Sequence, residues 1–194
     1  MLVFFIHGVA TKNSDYSESL SRSVRDSLNK TGQDLPLFYP SFWGDVLKDK
    51  NQIWNHIFND LRAAKSRFPK INSEDIFKYS TFREGFLSDF MGDVLTYLNE
   101  DRGQKIRQKL TDQLEDFINH APGQKKLNIV AHSLGTVILF DMLFSDRFYL
   151  KDPVFRFRSL IEGLHCPNGT ETRKKVSLRS ITTMGSPILG TSIN

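Results

Sequence analysis

One serine, Ser133, stands between two apolar segments of the chain. The residues before it, Leu127–Val130, have the apolar character of a buried parallel strand, and Thr136–Phe144 can form a helix that packs on the sheet. Ala131 and Gly135 lie two residues before and two residues after the serine. A sharp strand-to-helix turn needs small residues at these two positions, and it strains the residue between them. The spacing therefore predicts a nucleophile elbow.

The rest of the chain alternates predicted strands and predicted helices. We predict strands at Leu2–Ile6, Leu35–Pro40, Lys126–Ala131 and Val176–Met184, and helices at Tyr16–Asn29 and Gln104–His120. The first helix has Leu20, Val24 and Leu28 on one face, and the second has an apolar stripe of Ile106, Leu110, Leu114, Phe117 and Ile118. The prolines of the second strand place it near a sheet edge. This order indicates an α/β fold with a mostly parallel central sheet flanked by helices.

More than eighty residues separate the second and third predicted strands, far more than one crossover helix needs. The segment 43–99 is rich in aromatic residues, and we predict that it is a helical cap inserted into a single domain spanning residues 1–194. Its aromatic side chains fit either a core between cap and sheet or the lining of an apolar substrate cleft. A looser, turn-rich segment at 146–175 could add a second part to the lid.

The net charge and the cysteine content limit the partners and the cellular compartment that we expect for this protein. The net charge is +4, and the basic residues are not interleaved with aromatic residues on one element, so we expect no nucleic-acid binding. A weak attraction to anionic membrane surfaces stays open. The single cysteine, Cys166, favours a reducing compartment, and without a signal peptide or a spanning apolar run we predict a soluble, cytoplasmic protein. We expect neither a metal nor a cofactor, because ligand-like spacings and a phosphate-binding glycine loop are missing from the sequence.

A serine hydroxyl becomes a useful nucleophile only with a base, a group that orients the base, and donors for the developing oxyanion. The elbow itself supplies one donor, the backbone N–H of Leu134. We expect the second from Val9, because the loop after the first strand ends beside the elbow, with His7 and Gly8 shaping that loop.

Three segments, Phe4–Gly8, Ala131–Gly135 and Thr182–Gly190, resemble landmarks of the α/β-hydrolase superfamily in the order of its lipase and esterase branch. The resemblance implies a serine hydrolase that cleaves carboxylic esters or thioesters through an acyl-enzyme on Ser133, with a small ester or lipid-like molecule as its substrate. The family also places an acid and a histidine after later strands. Because no carboxylate follows the third landmark up to Asn194, this implies an incomplete fold whose acid and base lie beyond that residue.

The histidines of the chain itself are weaker candidates for the base. His165 is the only serious internal one, whereas His132 is expected to be a packed elbow residue that points away from the serine. His56 and His120 fall on predicted helices. Asp141 lies two turns along the helix after the serine, which makes it a poor orienter. The missing acid and base support the alternative of a catalytically inactive α/β-hydrolase-like binding module.

Overall fold

A computed structural model of the chain describes residues 1–9, 11–47, 97, 100–146, 152–164 and 175–185. The strands in this part of the chain are β1 (Leu2–Ile6), β2 (Leu37–Ser41), β3 (Lys126–His132) and β4 (Ser177–Met184). The helices are α1 (Glu18–Lys30), α2 (Glu100–Asn119), α3 (Leu134–Phe144) and α4 (Pro153–Ser159), with 3₁₀ turns at Ser14–Ser17 and Gly44–Leu47. All strand pairs are parallel, in the order β2-β1-β3-β4. The predicted α/β class with a parallel sheet flanked by helices is confirmed.

The centre of the described sheet is formed by β1 and β3. Every residue of β1 is buried, as expected for a strand that is apolar at each position and has a neighbour on both sides. In the register of the pair, Ile6 lies opposite Ala131. The residues that follow the two strands therefore meet at the same carboxyl edge of the sheet. At the other side of β1, β2 forms an edge of the described sheet, where its proline is tolerated.

Two helices close the core around these strands. The five stripe residues predicted for α2 are all buried. In contrast, α3 is apolar on nearly all sides, which is typical of a helix buried between layers. The hydrophobic core therefore contains residues of β1, β3, α2 and α3, together with Val154 and Phe157 of α4.

The predicted inward face of α1 is wrong. Leu20 is exposed, Val24 and Leu28 are only half-buried, and the one buried residue of the helix is Ser21. Ser21, and not the row of Leu20, Val24 and Leu28, therefore marks the inward side of the helix. On the same face, four residues further on, the guanidinium of Arg25 stacks over the ring of Phe38 at 4.7 Å.

The segment 146–175, predicted as loose, contains the helix α4. Asp152 is its N-cap, because its Oδ1 accepts a hydrogen bond from the backbone N–H of Val154 at 2.9 Å. Pro153 occupies the first helical turn, where a missing N–H costs nothing. The pair of an aspartate and a proline was therefore a helix-start signal and not only a turn signal.

The predicted cap, 43–99, lies outside the described residues except for 43–47 and 97. Trp43 and Tyr97 are both buried in the main core, which agrees with a packing role for these two aromatic side chains. No helix in the described part of the chain is long and apolar enough to cross a bilayer.

Candidate functional site at the carboxyl edge of the sheet

Ser133 occupies a strained turn between β3 and α3. Its backbone dihedrals are φ 51° and ψ −125°, and it is the only non-glycine residue with positive φ in the described ranges. Its N–H donates to the carbonyl of Met184 at 2.9 Å, and its carbonyl accepts from the N–H of Thr136 at 2.9 Å. Such a conformation costs on the order of 1–3 kcal/mol, so the surrounding structure must hold it in place.

The glycine after the turn is required by the close approach of helix and strand. A Cβ atom on Gly135 would lie 2.5 Å from the carbonyl oxygen of His7 and 2.6 Å from that of Ile6. Before the turn, Ala131 is fully buried opposite Ile6. The first turn of α3 is therefore pressed against the carboxyl end of β1, as the small residues around Ser133 predict.

The loop after β1 passes directly across the serine. A Cβ atom on Gly8 would lie 2.7 Å from the Cβ of Ser133, closer than real Cβ atoms approach. Val9 follows in this loop, and Leu134 opens α3, where a first-turn N–H has no acceptor within the helix. The two predicted oxyanion donors thus belong to the two segments that meet at Ser133, although their direction toward a substrate stays a prediction.

His7 is a neutral, fully engaged side chain. It is buried, its Nδ1–H donates to the carbonyl of Gly8 at 2.6 Å, and its Nε2 accepts the backbone N–H of Trp43 at 3.1 Å. Burial lowers its pKa from 6.5 to about 4 and outweighs the opposing effects of the Gly8 hydrogen bond and of Asp45. Because both ring nitrogens are occupied, His7 can shape the loop but cannot take a proton from Ser133.

His132 is exposed, so the expectation of a packed side chain is wrong. A Cβ on Gly8 would lie 3.3 Å from its Nδ1, and a Cβ on Gly185 would lie 3.5 Å from its Nε2. The imidazole therefore lies at the carboxyl edge between two glycines, which have no side chains to cover it. Along β3 the side chains alternate, with Ala131 buried and His132 open to solvent.

The other histidines lie away from the serine or outside the described residues. His120 is exposed at the end of α2, with its Nδ1 2.9 Å from the backbone oxygen of Asp116. The length of β3, roughly 20 Å, separates this end of the sheet from Ser133. His56 and His165 lie outside the described residues.

Asp141 is part of a partly buried ionic cluster with Arg107 and Asp152. The hydroxyl of Tyr97 donates to its carboxylate, and burial together with that carboxylate raises the pKa of Tyr97. The Nη1 of Arg107 lies 3.7 Å from the Oδ2 of Asp141. Its Nη2 and Nε donate a bidentate pair of hydrogen bonds to the carboxylate of Asp152, at 3.1 and 3.3 Å. The cluster joins α2, α3 and α4, which agrees with Asp141 being a poor orienter.

Two residues that organise this region were missed from the sequence. Trp43 belongs to the segment predicted as a cap, but it stacks on His7 with 4.6 Å between ring centroids and 9° between planes. Arg107 resembles a surface residue by type, yet it lies on the buried stripe of α2, four residues after Gly103 and three before Leu110. That periodicity was the available signal.

In the part of the chain that the structure describes, His, Cys, Asp and Glu form no group of three that could hold a metal ion. No protein-family model, curated protein or solved structure matches this chain.

Proposed function

We propose that this chain is a serine hydrolase of the α/β-hydrolase type, with the segment 43–99 as its cap, that cleaves carboxylic esters or thioesters through Ser133. The observation that carries the proposal is the φ of 51° and ψ of −125° at a serine between a central parallel strand and a helix. Glycine would adopt this conformation without strain, so a serine here is best explained by the chemistry of its hydroxyl.

The proposed reaction has two stages. The Oγ of Ser133 attacks the carbonyl carbon and passes its proton to a base, while the carbonyl oxygen becomes an oxyanion that the N–H groups of Val9 and Leu134 stabilise. The intermediate collapses, the C–O or C–S bond breaks, and the alcohol or thiol leaves with the proton. Water then attacks the acyl-enzyme, which releases the carboxylic acid and restores the serine. Each oxyanion donor is worth about 10²- to 10³-fold in rate.

The described residues supply the nucleophile and its donors, whereas we assign the base to the protein outside them, with His165 as the internal candidate. His7 is excluded by its two hydrogen bonds. His132 lies beside the same glycine as Ser133, so it is the described histidine that an experiment must separate from His165.

The test is labelling of the full-length protein with a fluorophosphonate, which reacts only with an activated serine. We expect a label on Ser133 that is lost in Ser133→Ala and kept in Ser19→Ala, a control at an exposed serine of α1. His165→Ala should abolish labelling if His165 is the base, and His132→Ala should retain it. An unlabelled but folded wild-type protein would contradict the proposal and favour an inactive binding module.

Hydrolysis assays then define the substrate class. p-Nitrophenyl esters and acyl thioesters of increasing chain length should be turned over by the wild type and not by Ser133→Ala. If the aromatic residues of the cap line the cleft, kcat/KM should increase with chain length before it reaches a plateau.

A further inference from the structure

The loop that contains Val9 is held in place from the side opposite the serine. His7 is 2% exposed, and its ring lies flat against the indole of Trp43 with 4.6 Å between the centroids. Tyr16 and Phe42 complete the aromatic surroundings, each with its ring centroid 5.2 Å from that of His7. The loop therefore leaves β1 through a packed aromatic cluster and not through solvent.

Two hydrogen bonds from Trp43 fix different parts of His7. The backbone N–H of Trp43 donates to the ring Nε2 at 3.1 Å, and its indole Nε1–H donates to the backbone carbonyl of His7, also at 3.1 Å. The first bond sets the orientation of the imidazole, whereas the second sets the plane of the peptide that joins His7 to Gly8.

The carbonyl of His7 touches the elbow on its other side. A Cβ atom on Gly135 would lie 2.5 Å from this oxygen, so the peptide is wedged between the indole of Trp43 and the first turn of α3. Gly8 is the next residue, and its Cα faces the Cβ of Ser133. A rotation of the His7–Gly8 peptide would therefore change the spacing to the elbow and move Gly8. The carbonyl of Gly8 shares its peptide group with the Val9 N–H and accepts a hydrogen bond from the imidazole of His7 at 2.6 Å, so the Val9 N–H would move with it.

Trp43 is itself anchored to the sheet-covering helix α2. The side-chain amide of Gln113 accepts from the backbone N–H of Phe42 and donates to the carbonyl of Phe42, both at 2.9 Å. On the other side, a Cβ atom on Gly44 would lie 2.8 Å from the carbonyl oxygen of Thr11. The segment 42–44 is thus clamped between α2 and the loop after β1.

We propose that Trp43 is a positioning residue for the oxyanion loop: its indole N–H holds the His7–Gly8 peptide against the elbow and so directs the Val9 amide toward the reacting carbonyl at Ser133. This inference rests on the proposed function. It adds a residue that acts through His7 and does not touch the substrate.

The test compares Trp43→Phe with Tyr16→Phe in the full-length protein. Trp43→Phe keeps an aromatic ring against His7 and keeps the backbone donor, but it removes the indole donor to the carbonyl. Tyr16→Phe removes a hydroxyl from the same cluster, where it donates to the carbonyl of Ser41 at 2.9 Å, and leaves the carbonyl of His7 untouched.

We expect kcat for a p-nitrophenyl ester to fall about 10- to 100-fold in Trp43→Phe with little change in KM, because the oxyanion is absent from the bound ester and develops only during attack by the serine. Affinity for a trifluoromethyl ketone, whose adduct with Ser133 carries an oxyanion, should fall by a similar factor. Tyr16→Phe should keep both values within about twofold. The amide chemical shift of Val9 should change in Trp43→Phe only.

The outcomes separate the two proposals. Labelling of wild-type Ser133 with an unchanged kcat, ketone affinity and Val9 shift in Trp43→Phe overturns the role of Trp43 alone. Equal losses in Tyr16→Phe also overturn it, because the cluster would then act only by packing. An unlabelled wild type overturns both proposals. If Trp43→Phe does not fold, Gln113→Ala loosens the same clamp, and a kcat reduced about 3- to 10-fold supports the positioning role whereas an unchanged kcat contradicts it.

Discussion

The position that a Cβ atom would take on Gly8 is 2.7 Å from the Cβ of Ser133 and 2.9 Å from the carbonyl oxygen of His132. The loop after β1 and the turn after β3 therefore touch through backbone and Cβ atoms, without a long side chain between them that could give way. A side chain added at Gly8 must therefore move the loop or the serine.

Gly8→Ala should leave a folded protein with a strongly reduced kcat. The extra methyl group would displace the loop or Ser133, and a displacement of about 1 Å at a reacting group can cost about 10²-fold in rate. Ester hydrolysis and fluorophosphonate labelling rates measure the effect.

Gly123→Ala is the matched control, because a Cβ there meets nothing within 4 Å and only its φ of 86° is unfavourable. This control should lose about 1–2 kcal/mol of stability with unchanged activity, and equal kcat values for the two variants would contradict the prediction.

Gly135→Ala should destabilise the protein although alanine is the better helix former by about 1 kcal/mol. The new Cβ would meet two backbone carbonyls, of His7 and Ile6, which cannot swing away like a flexible side chain. We expect a net loss of about 1–3 kcal/mol in the free energy of unfolding, measured with urea. Ser23→Ala on the exposed side of α1 should leave stability unchanged or raise it slightly. A gain in stability for Gly135→Ala would show that α3 does not press against β1.

The strained turn at Ser133 could be predicted from the sequence because its determinants are local. Ala131, Ser133 and Gly135 lie within five residues, and the apolar segments before and after them predict a strand and a helix. The first strand was equally clear, because Leu2–Ile6 is apolar at every position. Both predictions depend only on residues that are close together in the sequence, so a short segment contains all the information that they need.

The support of the site could not be predicted in the same way. Trp43 and His7 are 36 residues apart in the sequence, and Arg107 and Asp152 are 45 residues apart. A local sequence pattern therefore does not indicate which residue either of them contacts. The apolar Leu20, Val24 and Leu28 predict the wrong face of α1, because the smaller Ser21 is the residue that is buried. At these positions tertiary packing determines which side chains are buried, and it overrides the local hydrophobic pattern.

Lowering the pH should destabilise the fold through His7. Its side chain is buried and its pKa is about 4, against 6.5 in the unfolded chain, with Asp45 opposing the decrease and His132 adding to it. The unfolded chain therefore binds a proton that the native chain still excludes, and stability present above pH 6.5 is lost as the pH falls toward 4. The expected loss is about 3 kcal/mol, because one unit of pKa is worth about 1.4 kcal/mol.

The measurement is the free energy of urea unfolding between about pH 7 and pH 4 for the wild type and His7→Gln. Glutamine keeps an acceptor for the N–H of Trp43 but does not titrate. The wild type should lose more stability over this range than the variant. Parallel curves would show that His7 does not contribute to the pH dependence.

Arg107→Met should destabilise the protein by about 3–5 kcal/mol, because it removes the buried guanidinium that faces the partly buried carboxylates of Asp152 and Asp141. The control is Arg22→Met, which removes an ion pair with Glu18 whose side chains are 70% and 65% exposed. Such surface pairs contribute less than about 1 kcal/mol, so urea unfolding should separate the two variants clearly.

A second substitution shows whether the loss comes from an unpaired charge. Asp152→Asn removes the negative charge but keeps an oxygen that can cap α4 through the N–H of Val154. Added to Arg107→Met, it should recover part of the lost stability, because a neutral amide at position 152 carries a smaller desolvation penalty than a partly buried carboxylate whose arginine has been removed. If the double variant is no more stable than Arg107→Met, the arginine contributes by filling space between α2, α3 and α4, and its charge is incidental.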